Sequence, residues 1–183
     1  MRKGFTLVEI LIVIIVMSIL GAMMTYSSSE AISSNKAAEI VVKLRNLKIA
    51  AMQMYVDKLD IWQGSTTEEI NKAKDAFTMG EVKTHLNDDN GYDSKYVIIT
   101  DKGKKDTSTP YANRKWYIVY NFDTQEKDVE KVKEKLAKRA KTDDLLGSTG
   151  TLDHTSGFTE RSGDDKYFNN NDAAVLLQIR KAN

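Results

Sequence analysis

The sequence predicts an α+β protein. One very long N-terminal α-helix forms a spine, and a small antiparallel β-sheet with short helices packs on its distal half as a head. Residues 10–24 are an apolar run with no charged residue, and Glu9 is the only charged residue between Phe5 and Ser29. From Ala31 the pattern turns amphipathic at helical spacing, with no helix breaker before Gly64. Further on, two β-rich runs and an alternating C-terminal segment supply the strands.

A helix of about 20 apolar residues is long enough to cross a bilayer. The isoleucines and valines of this run lose rotamer freedom in a helix, but in lipid every backbone group must be paired within the segment. Gly21 and Ser27-Ser28-Ser29 are its weakest points. The one proline is Pro110, so a bend here would rest on those residues. Beyond them Ala37, Ile40, Val41, Leu44, Leu47, Ala51, Met54 and Leu59 share one helical face. Lys36, Glu39, Lys43, Asn46, Gln53 and Asp57 take the opposite one. One helix from Phe5 to about Leu59, roughly 80 Å long, is expected.

Gln63-Gly64-Ser65 ends the spine, and Ser65-Thr66-Thr67-Glu68 reads as a capping box opening a second helix that buries Ile70, Ala73, Phe77 and Val82. Asn87-Asp88-Asp89-Asn90-Gly91 is a turn. Residues 95–100 and 115–122 are strands of a hairpin joined by the polar loop 101–113. Trp116, Ile118 and Tyr120 share one parity; Tyr117, Val119 and Phe122 share the other only if a bulge intervenes. Asp123-Thr124-Gln125-Glu126 reads as a capping box before a helix with Val129, Val132, Leu136 and Ala140 on its buried face. Residues 145–171 read as a long polar loop, and residues 173–180 as a last strand in which Val175, Leu177 and Ile179 alternate.

The 183 residues suit one ordinary domain plus a membrane helix. Formal charge is +1; without Arg2 and Lys3 the chain keeps 25 basic and 26 acidic side chains, a net of −1. That balance gives no global reason to expect nucleic acid as a partner. There is no cysteine, hence no disulfide.

Arg2-Lys3-Gly4-Phe5-Thr6-Leu7-Val8-Glu9-Ile10 resembles the N-terminus of a type IV prepilin or a type II secretion pseudopilin. The specific part is Lys3 to Ile10, where glycine, aromatic residue, Thr-Leu, glutamate and apolar run fall in register. The resemblance implies cleavage by a prepilin peptidase between Gly4 and Phe5, N-methylation of Phe5, and polymerisation through the long helix with Glu9 as an assembly contact. It implies a leader at 1–4, a transmembrane and assembly half-helix at 5–29, and an amphipathic half-helix plus head at 30–183. The partners would be copies of the chain itself, the peptidase, an inner-membrane assembly platform and the membrane. The precursor would sit in the cytoplasmic membrane with its head outside, and the assembled form would be an extracellular filament. The chain departs from many Gram-negative pilins, which close a C-terminal loop by a disulfide, so this loop needs another support. An ordinary signal peptide or anchor fits the charged start and the apolar run. Glu9 and the poor cleavage site Leu20-Gly21-Ala22 weigh against that reading.

Little points to catalysis. Two histidines and no cysteine leave none of the usual zinc spacings, and no phosphate loop or serine elbow is present, so no enzymatic role is expected. Asp153, Asp164, Asp165 and Asp172 lie in a stretch whose oxygen ligands suit calcium, which major pseudopilins bind in a C-terminal loop; no other cofactor is expected. Lys127, Lys131, Lys135, Lys138 and Arg139 could form a ridge for DNA. Interleaved glutamates such as Glu134 favour a solvated helix held by i,i+4 ion pairs instead. Three functions compete: a pilin of a type IV pilus, a pseudopilin of a secretion or DNA-uptake system, and an anchored binding module that does not polymerise. The loop-rich head favours the first.

Overall fold

The helix α1 runs unbroken over Leu7–Asp57 in a computed structural model that describes residues 6–86 and 91–180. The polar positions of its first half do not interrupt it: Ser18 and Thr25 donate their hydroxyls back to the carbonyls of Ile14 and Gly21 at 2.7 and 2.9 Å, so neither hydroxyl is left without an acceptor. Lys58 caps α1 outside helical geometry, and a single turn, α2 (Leu59–Trp62), follows. That break moves Leu59 off the buried face where periodicity places it, leaving it 39% exposed, and brings Trp62 fully inside.

Two short helices come next, α3 (Thr67–Ala76) and α4 (Met79–Lys83). The cap of α3 lies one residue later than Ser65. Thr66 is the N-cap, and Glu69 Oε2 accepts from the Thr66 and Ser65 amides and from the Thr66 hydroxyl. Of the expected turn at 87–91 only Gly91 is described, with φ of 94°.

The sheet has strands β1 (Tyr96–Thr100), β2 (Trp116–Asn121), β3 (Leu145–Ser148) and β4 (Ala174–Arg180), ordered β1-β2-β4-β3 and antiparallel throughout. The hairpin pairing of β1 with β2 is as expected. β3 was not: residues 145–171 are not all loop, and Leu145–Ser148 form the strand beside β4. Between β2 and β3 lies α5 (Val129–Asp143), whose Val129, Val132, Leu136 and Ala140 are buried. The expected capping box at 123–126 does not form. Glu126 is instead taken by Lys36 of α1, at 2.7 Å, and by Lys95, and α5 opens only after Asp128 in left-handed geometry.

One sheet face packs on α1. Ile98, Trp116, Ile118, Tyr120, Phe122 and Val175 join the spine's Leu44, Leu47 and Met54 in the main core. Phe122 thus keeps the parity of Trp116, Ile118 and Tyr120; the one register shift lies at Trp116/Tyr117 against β4. Trp62, Phe77 and Trp116 meet edge-on at centroid distances of 4.8 to 6.3 Å and close the top of this core. The opposite face, with Tyr117, Val119, Leu146 and Leu176, is covered by Phe158 from the segment between β3 and β4. Central strands buried on both faces lose the clean alternation expected of a half-exposed sheet.

Two buried charges hold the loops. Arg114 is fully buried with no carboxylate paired to it among the described residues; it donates to the carbonyls of Gly103, Asp106 and Thr109 at 2.7–3.0 Å and stacks on Tyr111, which fixes the β1–β2 connection. Asp172, also fully buried, accepts from Arg161 Nη2 and from the Asn169 amide, both at 2.9 Å, and so ties down the segment between β3 and β4. Gly147 makes room for this pair. A Cβ built there would lie 1.9 Å from Asp172 Oδ2 and 2.5 Å from Arg161 Nη2. This ion pair does for the C-terminal loop what a disulfide would do.

Gly147→Ala is expected to destabilise the head by about 1–3 kcal/mol in thermal or urea unfolding, since the methyl overpacks the ion pair. An unchanged melting temperature would contradict the placement of Asp172. Glu126 carries a pH dependence. Lys36 and then Lys95 hold its carboxyl below the usual glutamate value. Its contribution is therefore present above the unfolded carboxylate pKa and is lost as pH falls through the lower folded value. Glu126→Gln should cost about 1 kcal/mol at neutral pH, and the difference from wild type should vanish in acid. A pH-independent difference would contradict this pairing.

Candidate assembly site

The N-terminal turn of α1 is built by its own sequence. Thr6 is the N-cap and Glu9 stands three residues on, so the two close a capping box. Glu9 Oε2 accepts from the Thr6 amide at 2.8 Å and from its hydroxyl at 2.9 Å, and the Glu9 amide donates back to Thr6 Oγ1 at 3.3 Å. Among the described residues Glu9 Oε1 has no partner. Gly4 and Phe5, the expected processing residues, lie outside the described residues. Thr6 was missed as a partner of Glu9, although the Thr-x-x-Glu spacing that marks a capping box was there to find it.

Glu9 opens a helix whose apolar first part has nothing packed on it among the described residues. The most apolar 18-residue window of α1 has a mean hydropathy of 2.7, and none of it is buried within the chain. Among the described residues the head touches α1 from Ser29 onward. Its most N-terminal ties to α1 are Lys131 to Ser29, at 2.6 Å, and Lys135 to Glu30. Past that, Lys36 meets Glu126 and Arg45 meets Asp143 at 2.8 Å. The lysines of α5 are thus partly spent on the spine, while Lys138 pairs with Glu134 at 2.5 Å as the i,i+4 reading expects.

The structure does not gather the four calcium candidates. Asp153 Oδ1 is turned onto the Thr155 hydroxyl and amide at 2.6 and 2.8 Å, which with Ser156 hold its carboxyl down to about 2. Asp164 faces Lys141 at 3.1 Å, Asp165 is exposed, and Asp172 is paired with Arg161. Among the described residues no group of three or more His, Asp or Glu side chains is arranged to hold a metal ion. His85 links the top of the head to the spine through Asp57 Oδ2 at 3.0 Å, and His154 is exposed on a loop.

No curated protein and no solved structure matches the chain. A family model described as the prokaryotic N-terminal methylation motif matches residues 1–25. That match ends where the exposed apolar half of α1 ends, and it takes in Gly4, Phe5, Thr6 and Glu9. The N-terminal motif and the bare apolar helix agree with membrane anchoring, and the chain carries the type IV prepilin and pseudopilin signal at its N-terminus.

Proposed function

We propose that the chain is a structural subunit, a pilin, of a type IV pilus filament, with no catalytic role. Cleavage between Gly4 and Phe5 and methylation of the new terminus prepare it for assembly, and copies then leave the bilayer and bury their apolar half-helices against one another. The observation that carries this reading is the bare first half of α1, apolar on every side with Glu9 as its one charge. Lipid is already apolar, so expulsion of water cannot drive the exchange of lipid for protein. Close packing and polar pairing must do so.

Glu9 is the polar group available. A carboxylate buried without a cation is costly, and so is a buried amine. After cleavage the Phe5 amine of a neighbouring copy supplies the cation, and the pairing fixes the axial stagger between subunits. The Thr6 amide and hydroxyl both lie downstream of the scissile bond, so the capping box survives processing. It aims the carboxylate and leaves Oε1 for the neighbour. The same spine would serve a secretion pseudopilin, which forms a shorter polymer held at the cell.

The capping role and the assembly role of Glu9 can be separated. Glutamine closes a capping box as glutamate does but cannot neutralise an amine. Glu9→Gln and Glu9→Val are both expected to insert and to be cut, with intact mass showing a chain that begins at Phe5. Sheared filament yield should drop roughly tenfold or more for both, equivalent to about 1.4 kcal/mol per contact. Co-expression with wild type should restore partial incorporation, because each subunit offers one donor and one acceptor. Wild-type yield from Glu9→Gln would reduce Glu9 to a helix cap. Wild-type protein that stays with the cells on shearing would favour the pseudopilin.

A further inference from the structure

The first turn of α1 decides where the helix stops as well as where Glu9 points. An α-helix grows backward when its first amides find carbonyls four residues upstream. The first such bond here runs from the Ile10 amide to the Thr6 carbonyl, at 3.3 Å. In a longer helix the Glu9 amide would donate to the Phe5 carbonyl and the Thr6 amide to the Arg2 carbonyl. Instead the Glu9 amide donates to Thr6 Oγ1 at 3.3 Å, and the Thr6 amide donates to Glu9 Oε2 at 2.8 Å. Thr6 itself is extended, with φ of −75° and ψ of 149°. The residues upstream would not end a helix by themselves, since Met1, Arg2 and Lys3 are good helix formers and Gly4 only weakens one. The stop is made by Thr6.

Resting on the processing step of the reading above, we propose that Thr6 is a positioning residue for that cleavage. Its cap keeps the Gly4–Phe5 bond outside the helix, where the peptidase can take it as extended chain. Hydrolysis adds water to the Gly4 carbonyl carbon. The C–N bond breaks, Gly4 leaves as a carboxylate, and the Phe5 nitrogen takes both water protons as an ammonium. Within a helix the same carbonyl would accept from the Val8 amide, and the bond would have to be unwound before it could react. An extended segment instead offers its free main-chain groups to a binding cleft. Independently of this geometry, the N-terminal methylation motif spans the same turn, and methylation needs the Phe5 amine that only cleavage releases. The Thr6 hydroxyl needs only the amide of residue 9, whatever side chain stands there. Cleavage therefore depends on Thr6 and assembly on Glu9, so one turn serves two separable steps.

The test is the initial rate at which the prepilin peptidase cuts full-length precursor in detergent, followed by intact mass at limiting substrate so that it reads kcat/KM. Thr6→Val keeps the size and branching without the hydroxyl. It should be cut roughly fivefold more slowly, the factor that loss of one N-cap carries. Thr6→Ser keeps a capping hydroxyl and should be cut within about twofold of wild type. Thr6→Gly separates the cap from direct reading of the hydroxyl by the peptidase, because glycine has no hydroxyl yet caps almost as well. It too should stay within about twofold. Glu9→Val should be cut like wild type. Thr6 lies in neither core, so every variant should melt like wild type. An isotope label at the Phe5 carbonyl carbon, read by NMR, should move toward helical values in the Thr6→Val precursor alone. Cutting of Thr6→Val at the wild-type rate overturns the proposal, as does an unmoved Phe5 signal. Cutting of Thr6→Gly as slow as that of Thr6→Val overturns it as well, since the hydroxyl would then be read directly. Wild-type precursor left uncut overturns the processing step and this proposal with it, whereas cut protein that forms no filaments overturns only the filament reading.

Discussion

A single helix that must be satisfied in two different solvents is the constraint on which the rest of this structure depends. From Leu7 to Thr25 α1 has its capping box, its backbone pairing and its own hydroxyl back-bonds, and no packing from the rest of the chain, which agrees with a helix anchored in a membrane. Beyond residue 30 one stripe turns inward, and a sheet, two short helices and α5 condense on it. The changeover is marked by ion pairs rather than by a hinge: Lys135 with Glu30, then Lys36 with Glu126. These contacts set where the head stops and so how much of the spine stays bare.

The head meets a second constraint, a lack of covalent staples. With no cysteine, its two long connections are each fixed by a buried charge, a cation in one and a carboxylate in the other. Among the described residues Arg114 is in direct contact with no carboxylate; three carbonyl groups and an aromatic face stand in for one, which suits the five-donor fork of arginine. Arg161 is paired with a wholly buried Asp172, and a strand glycine is required so that this pair can sit against β3. The sheet accordingly has a second buried face under a segment that reads as plain loop.

Much of this was legible in the sequence, for identifiable reasons. The spine and its buried stripe follow from a 3.6-residue period sustained over many turns, which little else in a chain can mimic. Leu59 fails because Lys58 breaks the period, and nothing local announces the break. The cap before α3 slips by one because Ser65, Thr66 and Thr67 are all good caps and two glutamates follow. The cap before α5 fails because a tertiary partner, Lys36, some ninety positions away, takes Glu126. β3 escapes notice because Leu-Leu-Gly-Ser is short, has no alternation and contains a glycine whose reason lies in Asp172. At the candidate site the motif, Glu9 and the bare helix were readable. The Thr6 contact was encoded in the Thr-x-x-Glu spacing but passed over.

The central claim is that the apolar half-helix is the axis of a polymer and that Glu9 closes each contact. A helical reconstruction of sheared filaments at side-chain detail tests it most directly. The account predicts α1 helices bundled on the axis with heads outside, and each Glu9 carboxylate within about 4 Å of a neighbour's Phe5 amine. A map with the heads on the axis, or with Glu9 contacting only its own chain, would contradict it.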